Sequence, residues 1–182
     1  RINECYGLKW ENVDIENGRI TIDRQMQYQD GLIKLIPLKT RNARRVIYMS
    51  QKLKDYFVRL AAETKAHEVD LKAQRAQNCT YIYDVDGNKI SSLELVNSLS
   101  NGKIQTVNSM KYHSRTIKTA LKIDFKYHYL RHTYGTRLAE LNTPTHILCN
   151  QMGHASGKVT ERYYLAVSKS GIDILVRNLN AV

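Results

Sequence analysis

Between Arg19 and Met49 the chain runs through three β-prone segments, "RITIDRQMQY", "LIKLIPL" and "RRVIYM", separated by "QDG" and "KTRNA". Such β-branched, alternating runs fit strands, and Gly31 supplies turn chemistry at the first junction. From Ser50 onward the apolar spacing becomes helical. Ser50 caps, and Leu53, Tyr56, Phe57 and Leu60 share one face. This switch of period confines the chain to an α+β fold. It is mainly α-helical, with a small three-stranded antiparallel sheet near the N-terminus.

The remaining elements follow from caps and periodicity. "RINECYGLKWENVD" reads as the end of a helix closed by Gly7. The helix after Ser50 continues, charged and Ala-rich, to about Gln77. "TYIYDVDGNKI" is a strand with a turn at Asp86-Gly87, and "SSLE" (Ser91 to Glu94) is a capping box for a helix ending near Asn101-Gly102. Val107 to Leu121 is helical, with Ile117 and Leu121 on one face. In "FKYHYLRHTYGTRLAE", Leu130, Tyr134, Leu138 and Leu141 form a stripe expected to be buried. His128 and Arg131 lie on another face of the same helix, about 60° apart. Thr143 caps the next helix, Pro144 opens it and Gly153 ends it. "VTERYYLAV" is a further helix. After a "SKSG" break (Ser168 to Gly171), "IDILVRNL" is an amphipathic one with Ile172, Leu175, Val176 and Leu179 in a stripe. Such a stripe must find a groove, in cis on its own domain or in trans on a neighbour.

Charge narrows the partners. The 182 residues hold 28 Lys and Arg against 17 Asp and Glu, a net charge of +11. Between Lys103 and Arg137 eight basic residues face one acid, Asp124. That excess favours a polyanion. Three widely spaced cysteines, Cys5, Cys79 and Cys149, fit a reducing, intracellular setting rather than a disulfide framework. No apolar run approaches the roughly 18 residues of a membrane span.

The chemistry on offer is cationic. His128 and His132 are four apart, but a zincin would place a glutamate beside the first histidine, where Tyr129 stands, and Arg131 would set a positive charge beside the metal. No P-loop, G-x-G-x-x-G or G-x-S-x-G occurs, and the carboxylates do not cluster for two-metal chemistry. His128 and Arg131 share a helical face, His154 follows in "GHAS" just past a helix end, and Tyr163 stands nine residues later. Taken singly, these are a surface pair and a core tyrosine. Together they supply donors for a pentavalent phosphorane and a metal-free nucleophile.

"HYLRHTYGTRLAE" followed by "MGHASGKVTERYY" resembles the catalytic domain of tyrosine recombinases, the phage-integrase family. "RINECYGLKW" resembles that family's first-arginine motif, and "LKTRNARRVI" the hairpin that carries its active-site lysine. The resemblance implies that Arg1 and Arg131 clamp the scissile phosphate, with Glu4 supporting Arg1. His128 and His154 contact the phosphate and tune proton transfer. Lys39 protonates the departing 5′-oxygen, and Tyr163 attacks to give a 3′-phosphotyrosyl bond. Neither metal nor ATP is required, because the phosphotyrosine conserves the bond energy, so no cofactor is expected. Met152 replaces the usual Leu before Gly-His, and Tyr164 adjoins Tyr163, so the nucleophile is assigned by spacing. Arg41, Arg44 and Arg45 are expected to contact DNA backbone phosphates or to form a solvated basic turn.

The resemblance further implies site-specific recombination of double-stranded DNA, integrating or excising a mobile element. The enzyme would be a homotetramer on synapsed DNA and a monomer without it. It would be cytoplasmic, in a bacterium or encoded by a phage, with no membrane partner. Residues 1–182 would form one catalytic domain, lacking its first helices and an upstream core-binding domain. The alternatives are a type IB topoisomerase-like enzyme and a non-catalytic DNA-binding module on the same fold. In this family the final helix often docks on a neighbouring protomer.

Overall fold

The structure, a computed structural model, describes residues 1–29, 31–38, 43–70, 80–99, 101–154, 156–165 and 169–180. The chain divides into two compact units, Arg1–Phe125 and Lys126–Val182.

The first unit opens with helix α1 (Ile2–Tyr6), ended by Gly7, and a 3₁₀ turn at Trp10–Asn12. Among the described residues seven strands follow: β1 (Val13–Asp14), β2 (Arg19–Ile22), β3 (Arg24–Gln29), β4 (Leu32–Pro37), β5 (Arg45–Tyr48), β6 (Tyr81–Asp84) and β7 (Lys89–Ser91). Helix α2 (Gln51–Asp70) lies between β5 and β6, and helix α3 (Val107–Leu121) closes the unit. The expected helical stretch beyond Asp70 to Gln77, and Cys79, lie outside the described residues.

Strand pairing differs from the simplest reading of the sequence. A three-stranded antiparallel sheet is present, but its order is β1-β2-β5. The second sheet has the order β3-β4-β6-β7, with β4 and β6 parallel and its other pairs antiparallel. The run "RITIDRQMQY" is therefore two strands broken at Asp23, whose carbonyl accepts a hydrogen bond from the Leu38 amide. The break sends Ile20 and Ile22 into one core with Leu8, Leu38, Phe57 and Val96. Met26 enters another, with Tyr6, Leu35, Ile82, Ile90 and Leu95. Gly7 lets α1 press on β3. A Cβ at this position would sit 2.8 Å from the Met26 nitrogen and 2.9 Å from Gln25 backbone atoms, closer than any side chain tolerates.

The capping box at Ser91 and Glu94 forms, with Ser91 Oγ accepting from the Leu93 amide and Glu94 Oε1 from the Ser91 amide. The helix expected behind it does not. A single 3₁₀ turn (Ser92–Glu94) gives way to one extended residue, Leu95, and a turn at Val96 and Asn97. Consecutive residues Leu95 and Val96 enter different cores. In a continued helix neighbours would stand only about 100° apart on one cylinder. Lys9 and Leu95 form an antiparallel bridge there. Helix α3 spans the expected residues, but Leu121 is exposed rather than packed.

The second unit comprises α4 (Tyr127–Glu140), α5 (Thr145–Met152), α6 (Gly157–Leu165) and α7 (Lys169–Leu179). Pro144 takes the N-cap of α5, one position earlier than its place in the sequence reading. The stripe expected to bury α4 does not do so: Leu130 is 56% exposed, Tyr134 is exposed, and Leu141 is 76% exposed. The buried face of α4 consists of Gly135 and Ala139, flanked by Leu138. These short residues let α4 approach α6 closely, a contact too narrow for leucine. The core is Ala139, Leu148, Met152 and Tyr163. Helix α7 already begins at Lys169 and contains Gly171, so its break is shorter than "SKSG". Its stripe of Ile172, Leu175, Val176 and Leu179 is exposed, reaching 65% at Leu179.

A further sequence-based expectation fails in the first unit. Arg45 is no backbone-phosphate contact, because its side chain is only 4% exposed. Its guanidinium donates to Glu4 Oε2 at 2.7 Å and to the Ala43 carbonyl at 2.9 Å. Its Nε finds no partner among the described residues. Arg45 opens β5 opposite Ile22, so strand alternation turns it inward. Glu4 also accepts from Arg1 at 2.7 Å. Burial by itself would raise the Glu4 carboxyl, but the hydrogen bonds from Arg45 and Arg1, aided by the nearby positive charges, outweigh it and hold the pKa at about 2 rather than 4.5.

Glu4 is thus ionised when folded and more easily protonated when unfolded. Its stabilisation is complete above about pH 4.5 and is lost as pH falls towards 2. Glu4→Gln should flatten this acid limb of the stability profile. At neutral pH it should also cost about 3–5 kcal/mol in denaturant unfolding, because it strands a buried guanidinium. A loss below about 1 kcal/mol would rank the pair with ordinary surface bridges.

Candidate active site

In the second unit, His128, Arg131 and His132 occupy neighbouring turns of α4, so their side chains issue from one side of the helix. The His128 and His132 rings meet edge to face with centroids 4.6 Å apart. His132 in turn lies 5.7 Å from the ring of Tyr163. On another side of Tyr163 is His154, its ring parallel to the tyrosine and 5.9 Å away. Tyr163 itself is 8% exposed.

Each of these positions has a local cause. Helix α5 ends at Gly153 in the left-handed region, and the His154 amide then donates to the Cys149 carbonyl at 3.1 Å. This turn delivers His154 just before α6. Its Nδ1 lies 2.8 Å from Oγ1 of Thr160, which is fully buried. Arg131 donates to the carbonyl of Met152, tying α4 to the C-terminal end of α5. Tyr163 fits because residue 135 is glycine: a Cβ there would stand 2.8 Å from the tyrosine Cε1 and 3.0 Å from Cδ1 and Cζ. Residual burial, then the electrostatic influence of His132 and Arg131, lower the His128 pKa from its ordinary value.

Of the residues singled out by sequence, His128, Arg131, His154 and Tyr163 therefore share one unit and one neighbourhood. Arg1 belongs to the first unit, held by Glu4 with 42% of its side chain exposed. Arg44 is exposed and Arg45 is buried. Lys39 and Arg41 lie outside the described residues. Among the described residues no three His, Cys, Asp or Glu side chains converge as metal ligands would. Nor is any described helix long and apolar enough to cross a membrane.

Three participants escaped sequence reasoning. His132 reads from sequence as a zinc candidate, yet its ring lies between those of His128 and Tyr163. Thr160 stands three residues before Tyr163, one helical turn away, and that spacing was the available signal. Gly135 carried none, since a helical glycine gives no hint of what it makes room for.

The profile of the phage integrase family matches residues 1–170. A XerC-like tyrosine recombinase from Caldanaerobacter subterraneus subsp. tengcongensis is 25% identical over 190 residues, which cover 99% of this chain and 46% of that one. The Tn1549 transposon integrase, solved in complex with circular intermediate DNA, shares the fold with a TM-score of 0.69 at 21% identity. The match covers 98% of this chain and 55% of that one. XerA recombinase matches with a TM-score of 0.63 at 14% identity, over 98% of this chain and 52% of its own. The chain thus spans about half the length of these relatives. With the family match reaching from Arg1 past Tyr163, and the fold shared over nearly the whole chain, this protein belongs to the phage integrase family of tyrosine recombinases.

Proposed function

We propose that this chain is the catalytic part of an enzyme that performs site-specific DNA recombination through a 3′-phosphotyrosyl intermediate. The observation that carries the reading is the setting of Tyr163, packed between His132 and His154 in a unit that also presents His128 and Arg131. In the proposed step the Tyr163 hydroxyl releases its proton to solvent as its oxygen attacks the scissile phosphorus, and the 5′-oxygen leaves with the proton of Lys39. Arg131 and Arg1 hold the non-bridging oxygens as negative charge builds on them, and His128 and His154 donate to the same group. Rejoining reverses the step with a new 5′-hydroxyl. The energy of the broken bond is kept in the phosphotyrosine, so the residues named need no nucleotide. Arg41 and Arg44 would contact the DNA backbone.

The substrate we infer is the end of a mobile element, integrated or excised in a bacterial cytoplasm. In support, the Tn1549 integrase is solved with circular intermediate DNA and with transposon right end DNA. Domain organisation follows the same reading: residues 1–182 act as one catalytic domain on bound DNA, completed by an upstream core-binding domain. We further infer a homotetramer on synapsed DNA and a monomer without it. The exposed stripe of α7 supports this, because an apolar face left open within its own unit is available to a neighbouring protomer.

Tyr163→Phe keeps the ring in its slot and removes only the oxygen. Covalent attachment to a nicked suicide substrate should vanish while DNA affinity holds, and Tyr164→Phe should attach normally. The reverse pattern would reassign the nucleophile. Arg131→Lys keeps the charge but loses the fork that spans substrate and the Met152 carbonyl. It should slow cleavage about 100- to 1000-fold in single-turnover assays with little change in binding. Leu175→Asp with Leu179→Asp should weaken assembly on DNA, seen by sedimentation, and leave the melting temperature of the DNA-free chain nearly unchanged. A large drop in melting temperature would show that the stripe is docked in cis.

A further inference from the structure

Thr160 has no part in the reaction proposed above, and it is fully buried, so it cannot touch a DNA phosphate. A hydroxyl in such a place is costly unless it is hydrogen-bonded, and valine of the same shape would fill the space without that cost. Its observed neighbour is Nδ1 of His154, at 2.8 Å. The contact bears on two freedoms of a histidine. The ring can turn about its bond to Cβ, exchanging its nitrogens, and the neutral ring can carry its proton on either nitrogen. A fixed partner on one nitrogen decides both.

We propose that Thr160 is a positioning residue for His154: its hydroxyl donates to Nδ1, fixes the ring parallel to Tyr163, and keeps the ring proton on Nε2. The inference rests on the recombinase reading, in which His154 must donate a hydrogen bond to the scissile phosphate. Nδ1 is engaged inside the protein, so Nε2–H is the donor. Threonine fits the task better than serine because its branched Cβ restricts the rotamers open to the oxygen. It stands one helical turn before Tyr163 on α6, so a single helix places both the nucleophile and the group that orients His154.

The test uses the full-length protein with ¹⁵N-labelled histidine. At a pH of about 8, above the usual histidine range, long-range ¹H–¹⁵N spectra should show His154 as the Nε2–H tautomer in the wild type and in Thr160→Ser. Thr160→Val should show a mixture. On a nicked suicide substrate, Thr160→Val should form the covalent adduct roughly 10- to 100-fold more slowly, the loss typical of removing a group that orients a reacting side chain. DNA affinity should be unchanged, and Thr160→Ser should recover most of the rate. An Nδ1–H tautomer in the wild type overturns the proposal, and this measurement needs no variant to fold. A folded Thr160→Val that cleaves at the wild-type rate overturns it as well. If the wild type forms no adduct at all, the recombinase reading fails instead, while the spectra still report whether Thr160 holds the ring.

Discussion

The arrangement of the second unit depends on the contact between Gly135 and the ring of Tyr163. Where a helix carries no side chain, a ring from a neighbouring helix can lie directly on its backbone. That contact brings α4 and α6 together, and with them the two sets of groups flanking the tyrosine: His128, Arg131 and His132 from one helix, His154 and Thr160 from the turn and helix that carry the phenol. The same ring is part of the small core with Ala139, Leu148 and Met152. The ring proposed as nucleophile is therefore also a core side chain, and a change that loosens this core would move the phenol.

In the first unit, a buried charge takes the corresponding role. Glu4 and Arg45 are both nearly inaccessible, and either alone would be a costly ion in a medium that solvates it poorly. Together they cancel, and Glu4 has a second oxygen available for Arg1. Arg1 is thereby held by Glu4 while 42% of its side chain remains exposed. A long, flexible cation is given a direction by a carboxylate that is itself immobilised. The pair also joins α1, which packs with the Met26 core, to β5, whose strand partner β2 belongs to the other core.

Much of this was legible in the sequence, and what was not has physical reasons. Caps and periodicity located α3 and the helices around His154 and Tyr163, because local propensity and tertiary packing agree there. They misjudged α4, since regular apolar spacing identifies a face without showing that the face is covered, and the true contact uses Gly135 and Ala139, which hydropathy patterns overlook. The Ser91 capping box is a local signal that was correct as far as it reached; the demand of two cores for Leu95 and Val96 ended the helix after one turn. Arg45 was read with its basic neighbours as part of a turn. The alternation that puts Ile47 on the same strand face was the sign that it points inward. Motif order groups His128, Arg131, His154 and Tyr163, but it does not show that His132 packs on Tyr163 or that Thr160 meets His154.

The dipeptide Leu95-Val96 has a wider consequence. One residue fills the core beneath β3, β4, β6 and β7, and the next fills the core beneath β2 and α2. The peptide bond between them is a rigid plane shared by two hydrophobic interiors. The two cores therefore meet at one peptide unit, although among the described residues their sheets share no strand pairing. The Glu4–Arg45 pair, which spans the same divide, is shielded from water only while both remain closed.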